Sequence, residues 1–394
     1  MALASSSLSG IRYRKENSFG VTPTTGNHNA LRITGESLKM GIGTDSSKEI
    51  RSDRQITDLV QISAGADGGI NYELSYGEYD PFLASVLQGV WSEAGTDGEN
   101  TITGTFTTTA LTASTGTPFT NVVDGQWVFI SGAVNAGNNG WKKVVTKTSA
   151  TVLTFAAATF TAETATANLK VSAARLKNGV TQSSFTLEKE FTDVTQFLAY
   201  TGMTPSRWTL NVESGSFVGG SFEFLGKSGV RGASTVMPGT KAASLAYPVM
   251  NAVGNVVNIL EGGSLLTGTF IKSMSLTLDN SLRGQDAIGT LGNVGIGSGT
   301  VGITGSLELY FADGTLYDKF INNTDTSLSF RLNDSAGRGY VITLPRVKYS
   351  DAQIMAGAIN QDVMVSMQFQ AIRDTVSGST IIIDRAGAAV TLPT

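Results

Sequence analysis

The sequence predicts a mainly β protein: two related domains of β-sandwich or barrel-like fold with short flanking helices, and a small β-barrel-like domain inserted into the first. Three observations carry this expectation. Apolar and polar residues alternate with period two in many separate segments, which turns one face of each toward a core and the other toward water. Glycine is frequent, at 46 of 394 residues, against a usual ~7%. Thr and Ser are plentiful while helical patterns are scarce, the balance of a chain of strands and turns.

Taken in order, the first helix signal is "YDPFLASVLQGVW" (79–91), where Asp80 can cap, Pro81 suits the first turn, Phe82, Val86 and Leu87 share a face and Gly89 closes the segment. The character changes from about Gly95 to Asn178. A Thr-rich, nearly uncharged run precedes "DGQWVFISGAVNAGNNGWKKVVTKTSATVLTF", in which Trp127, Phe129, Trp141, Val144, Leu153 and Phe155 supply a small core and "NAGNNG" a turn. Further short helices are expected in "TDVTQFLAYTG", from a Thr192 cap to Gly202, and in "DGTLYDKFINN". Half-buried strands are expected in "WTLNVES" (208–214), "SFEFLG" (221–226), "SMSLTLD" (273–279), "SLELYF" (306–311), "SLSFRL" (327–332) and "VMVSMQFQAI" (363–372).

Two internal echoes point to a duplication. "FTLEKEF" (185–191) followed by "GGSFEF" (219–224) parallels "LTLDNSL" (276–282) followed by "TGSLELYF" (304–311). "YELSYGEYDPF" (72–82) parallels "LELYFADGTLYDKF" (307–320), each a strand followed by Tyr-Asp-x-Phe at a short helix.

Composition narrows the chemistry. There is no cysteine, so disulfides and thiolate sites are excluded, and the one histidine, His28, sits among turn formers in "TGNHNAL" and is expected in a solvated loop. No EF-hand loop or His/Cys cluster calls for a metal, no carboxylate pair stands out by spacing, and nothing calls for a cofactor. The glycines of "RGQDAIGTLGNVGIGSGTVG" (283–302) run into a strand rather than a helix N-terminus and lack Gly-Lys-Ser/Thr, so a flexible loop that orders on assembly is expected there and not a phosphate cradle. A net charge of -4 opposes a tight grip on nucleic acid. Lacking an apolar run long enough for a signal peptide or a membrane span, the sequence predicts a soluble protein made in a cytoplasm.

One stretch stands apart in a chain that is 15% charged. "KEIRSDRQITDL" (48–59) carries Lys48, Glu49, Arg51, Asp53, Arg54 and Asp58. The charges cancel, so they offer no net attraction to DNA; mixed charge of this kind selects the register and orientation of a partner surface. A solvated hairpin with no partner is the alternative.

The run from "ENSFGVTPTTGNHNALRITGESLKMGIGTD" through "GINYELSYGEYDPFLASVLQG" resembles the N-terminal part of the tail tube protein family of tailed bacteriophages, and "SLTLDNSLRGQDAIGTLGNVGIGSG", "GSLELYFADGTLYDKFINN", "LPRVKYSD" and "NQDVMVSMQFQAIRD" resemble the same family. The insert, through "GQWVFISG" and "NNGW", is similar to small β modules that decorate phage structural proteins. The resemblance implies a structural, non-enzymatic subunit of a virion tail, assembled in the host cytoplasm into stacked rings around a conduit for DNA. Two tube domains are then expected, the first from 31–96 and 179–235 and the second at 266–375, with an N-terminal arm at 1–30, the insert at 97–178, a linker at 236–265 and a C-terminal tail at 376–394. Arm and glycine-rich loop are implied to reach neighbouring subunits, which makes Arg283 and Asp286 contact candidates alongside the six charged residues of the 48–59 stretch.

Closing sheets from several subunits into one barrel removes exposed strand edges. Six domains of about four strands give about 24 strands, a circumference of ~150 Å and a bore of roughly 40 Å, wide enough for a duplex of about 20 Å. With two domains per chain, three chains complete a pseudo-sixfold ring; six chains fit if one domain lies outside the barrel. Glu73, Glu223 and Glu308 alternate with apolar neighbours and are candidates to face the bore, where DNA passes without being held; the exterior is the other option. Other tail proteins are the expected partners at the tube ends, with no membrane. The competing readings are a phage or bacterial surface adhesin binding carbohydrate through the insert and a polysaccharide-degrading virion protein.

Overall fold

A computed structural model describes residues 3–94, 98–237, 239–266 and 269–387. Its body is two copies of one motif sharing a hydrophobic core. In the first copy the strands Lys39–Ser46, Leu59–Glu73, Gly219–Gly226 and Gln196–Glu213 lie side by side, all antiparallel. The second copy repeats the order with Ile271–Asp279, Gly302–Tyr310, Met364–Ala371 and Gly339–Met355. Each fourth strand is long enough to serve two layers. The first half of Gln196–Glu213 pairs with Phe185–Phe191, and that of Gly339–Met355 with Thr326–Asn333. Ser9–Lys15 and Val256–Glu261 then extend the outer layers of the first and second copies. The helices Asp80–Val86 and Thr315–Ile321 each follow the second strand of their copy.

The alternation read from the sequence explains the core. Ile70, Trp208, Phe222, Leu276, Leu307, Met367 and Phe369 are buried in one continuous cluster, each such side chain contributing about 1.5–3 kcal/mol. Polar handles within it are satisfied: the Trp208 indole donates to the Tyr72 hydroxyl at 2.7 Å, which donates to the Thr209 carbonyl at 3.0 Å.

The two copies are welded by buried charge. Asp80, at the start of the first copy's helix, meets Arg385 and accepts a hydrogen bond from the Tyr340 hydroxyl at 2.6 Å, while Arg385 also reaches Glu93 at 2.6 Å. Asp80 was expected as a helix cap; Tyr79 occupies the cap without a side-chain bond, and the carboxylate is drawn inward by the guanidinium instead. Residues 376–394, expected as a tail, include the buried strand Ile382–Ala386, which pairs with both Ala174–Lys177 and Gly339–Met355.

The insert is a closed six-stranded barrel spanning Glu99–Phe106 to Glu163–Ser172. Val144, Leu153 and Phe155 lie in its core as expected, but Val128 and Ile130 take the inward positions on their strand in place of Trp127 and Phe129. The aromatic side chains face the body: the Trp141 indole donates to the Gly337 carbonyl at 2.9 Å, and Phe129 packs edge-on against Trp141.

Other expectations are corrected. The 192–202 segment is no helix: a tight turn, with Thr195 at φ 51°, leads into Gln196–Glu213, because pairing on both sides satisfies the backbone of this β-branched and aromatic run. His28 is 2% exposed, in the strand His28–Leu31, with Nε2 3.3 Å from Arg12 Nη1. Ser9–Lys15 and His28–Leu31, within the expected arm, are built into the first copy. The true counterpart of Phe185–Phe191 is Thr326–Asn333 and not 276–282, since both pair with the bent long strand of their copy.

Candidate assembly surfaces

Where the two copies meet, the sheet continues without interruption. The second half of Gln196–Glu213 pairs with Ile271–Asp279 from Arg207↔Asp279 through Leu210↔Leu276 to Glu213↔Ser273. Arg207 Nη2 lies 2.7 Å from Asp279 Oδ2 and locks this junction on its polar side. The last strand of one copy therefore recognises the first strand of the next.

The same two elements are open at the ends of the chain. By the bulges and partners they share, Pro205 matches Tyr349 and Arg207 matches Asp351, so Thr209 and Leu210 match Gln353 and Ile354. "ITGESLKM" (33–40) likewise matches "IKSMSLTL" (271–278), placing Leu38 and Lys39 at Leu276 and Thr277. Among the described residues no strand pairs with the outer side of 348–355 or of 35–46. The Leu38 edge is blunted by side chains alone: its amide donates to the Glu36 carboxylate at 2.8 Å and its carbonyl accepts from the Tyr200 hydroxyl at 3.2 Å. Ile354 is 38% exposed whereas Leu210, its counterpart inside the chain, is 1% exposed. Sequence reasoning missed these edge residues; the "ITGESLKM" and "IKSMSLTL" match was the available signal.

The charged stretch occupies the tip of a hairpin formed by Lys39–Ser46 and Leu59–Glu73. Arg51 Nη2 and Asp53 Oδ2 are 2.7 Å apart, Lys48 lies 3.7 Å from Asp45, and Thr57 donates to Glu49 at 3.1 Å, so much of the charge is matched within the hairpin. The Arg51 hydrogen bond holds the Asp53 carboxyl below its ordinary range. Arg54 and Asp58 are exposed beside them. The charges are interspersed with exposed Ile42, Ile50, Ile56, Leu59, Val60 and Ile62, an apolar content that sequence reasoning passed over.

The glycine-rich loop is the counterpart of this hairpin, since each joins the first and second strands of its copy. It is ordered inside the chain: Arg283–Gln285 pairs with Gly295–Gly297, the Leu291 carbonyl accepts from the Ala64 amide at 2.6 Å, and Asn293 donates to the Gly226 carbonyl at 2.8 Å. Arg283 and Asp286 remain exposed on it.

The face opposite the core is a polar lattice of hydroxyls and amides. Thr209 meets Ser221 at 3.0 Å and Ser275 meets Ser306 at 2.8 Å, with Gln353, Ser366 and Gln368 beyond. Glu223 and Glu308 stand on this face, 3.8 Å from Arg207 and 3.2 Å from Lys272. Glu73 is set apart at its strand end, bordering a cleft with Arg32, Thr34 and Tyr79.

The chain matches the family model described as phage tail tube protein twice, over residues 6–182 and 145–371. No curated protein matches it. A duplicated match over most of the length, on a body that is itself two copies of one β motif, places this chain in the phage tail tube protein family.

Proposed function

We propose that three chains close into a ring whose inner wall is one continuous sheet, that rings stack into the tail tube, and that the tube conducts DNA during ejection. The carrying observation is the junction inside the chain, a working template for the junction between chains. Repeating it sets Asp351 opposite Gly41, Gln353 opposite Lys39 and Ile354 opposite Leu38 of the next copy, with Asp351 and Lys39 diagonal neighbours on the polar face. Each copy contributes four strands, so three chains give about 24 strands and a bore wide enough for a duplex.

The polar lattice then lines the bore, Glu223 and Glu308 within it. Its cations Arg207, Lys272 and Lys39 each sit beside a carboxylate, which suits a wall that DNA slides past. The role is structural and non-enzymatic, in the virion tail, with assembly in the host cytoplasm. The hairpin at 47–58 is left free by this lateral closure to contact the next ring. Carbohydrate recognition through the insert gains no support, because Trp127 and Trp141 are partly buried and Trp141 is engaged with Gly337.

Cryo-electron microscopy of the purified, polymerised protein tests the proposal. The expected result is three chains per ring and a strand ladder continuous across the chain boundary; a closed monomer, or six chains per ring with the second copy outside the wall, overturns it.

A further inference from the structure

The linker between the copies also seals the first one. Arg32 Nη1 donates to the Tyr247 carbonyl at 2.7 Å and Glu78 accepts from the Leu245 amide at 2.8 Å, drawing the linker across the end of the first copy's sheet. There the Leu74 amide donates to the Val218 carbonyl at 2.7 Å, but the return bond is bridged by Met250: Met250 donates to Leu74 at 2.8 Å and accepts from Val218 at 2.9 Å. Leu74, Val218 and Met250 are 5%, 0% and 0% exposed.

The second copy has the same splayed end, and among the described residues nothing fills it. The Phe311 amide donates to the Val363 carbonyl at 2.9 Å, the counterpart of Leu74 and Val218. Among the described residues, neither the Val363 amide nor the Phe311 carbonyl has a hydrogen-bond partner. Phe311 and Val363 are 40% and 37% exposed, and Phe270 beside them is 74% exposed. Leaving such groups unpaired under apolar cover is costly, which favours an occupant that brings its own peptide.

The segment equivalent to the linker precedes Ser9–Lys15. Ser9 pairs with Phe191 and Val256 with Leu332, at equivalent positions of the two outer layers, so Leu8 matches Asn255; each ends a turn, three residues long onto Ser5 and four residues long onto Asn251. The Leu8 carbonyl accepts from the Thr192 hydroxyl at 3.1 Å, and the Asn255 carbonyl accepts from the Asn333 amide at 2.9 Å, at the matching place in each outer layer. Counting back from this strand register sets Leu3 at the place of Met250 and Ala4 at that of Asn251. Leu3 is 87% exposed in the single chain.

We propose that residues 3–8 of one copy cross to a second copy of the chain, where Leu3 enters the notch between Phe311 and Val363 and its peptide pairs with both. This rests on the ring reading, and the two agree on the pair of chains involved: the copy whose second motif offers the open 348–355 edge also offers the open notch. In the chain itself Asn251 bridges Phe217, so Ala4 comes opposite Asp362 of the neighbour.

The absence of native cysteine allows a direct test by disulfide trapping. Ala4→Cys with Asp362→Cys reports the strap, and Lys39→Cys with Gln353→Cys reports the ring edge; both are oxidised after assembly and run on denaturing, non-reducing gels. Covalent dimers and trimers from both pairs are the expected result. Cross-linking through 39 and 353 with only monomer from 4 and 362 overturns the strap and leaves the ring, whereas monomer from both overturns the two together. Leu3→Asp, harmless to the single chain because the side chain is in water there, should raise the concentration needed for assembly at least tenfold; no change would also overturn the strap.

Discussion

The two copies of the tube motif share strand order, helix position and the bulges beside their long fourth strands, yet they differ at both ends. The first carries a long hairpin with exposed residues on both faces, hosts the barrel insert and has its sheet end sealed by Met250. The second has the compact glycine-rich loop docked at Ala64 and Gly226, and among the described residues its sheet end and last strand edge are open. The strand junction and the Met250 seal made inside the chain have, among the described residues, no counterpart at the far end of the second copy. In the proposed ring, this asymmetry comes from cutting a repeating wall after every second unit, and the open elements meet the neighbouring molecule.

Substituting Leu210 and Ile354 breaks this comparison most sharply. Leu210→Asp buries a carboxylate at the internal junction and is expected to unfold the chain, by more than about 4 kcal/mol. Ile354→Asp at the equivalent open position should leave the monomer's thermal midpoint within a few degrees and abolish rings, read by circular dichroism and analytical ultracentrifugation. Equal effects at the two positions would sink the equivalence.

The weld between the copies comes next. Asp80→Ala leaves Arg385 without its closest carboxylate and removes the acceptor of the Tyr340 hydroxyl, which should cost about 3–5 kcal/mol in denaturant unfolding. Burial and the neighbouring Asp80 carboxylate already push the Tyr340 hydroxyl well above its ordinary range, so the phenol stays a donor throughout the working pH range.

Excising the barrel is a milder change. The Ala94 amide donates to the Ala173 carbonyl at 2.8 Å, so the two ends of the insertion are adjacent and a short glycine bridge can replace residues 99–172. Loss of the Trp141 bond to Gly337 and the Trp127 bond to Asp384 should lower stability by about 1–2 kcal/mol, with ring formation retained in electron micrographs.

The smallest effect is a pH dependence confined to the insert. Against an opposing push from burial, bonds from Thr166 and from the Val134 and Asn135 amides pull the Glu163 carboxyl down to about 2. A depressed carboxylate stabilises the fold above its unfolded value of about 4.5, and the contribution is lost as pH falls toward about 2. Hydrogen exchange of the 134–139 loop should therefore quicken over that window, and Glu163→Gln should flatten the response.

Much of the fold was legible because strand alternation is a local property. The segments at 208–214, 221–226, 273–279, 306–311, 327–332 and 363–372 each lie on an observed strand to within one residue at the ends, and the echo between 72–82 and 307–320 marks equivalent strand and helix pairs. Misreadings occurred where local pattern has two solutions. The 192–202 run has helical spacing but is held as a strand by neighbours on both sides, and the phase of Trp127 and Phe129 was inverted because the body offers aromatic side chains a second apolar surface. His28, placed in a loop by its turn-forming neighbours, is buried by Arg12 and the outer layer. Of the candidate contacts, the charged hairpin was visible as composition. The edges at 35–41 and 348–355 were not, because an open edge is defined by the strand that is missing from it.

By itself, then, the sequence determined that this chain is made of amphipathic strands, that a motif recurs in it, and that no thiol chemistry is available. Only the tertiary structure decided which strand pairs with which, which copy of the motif is sealed and which is open. The physical reason is that backbone amides and carbonyls are the same in every strand: alternation fixes which face is buried, while the identity of the hydrogen-bonding neighbour follows from how distant apolar faces come together.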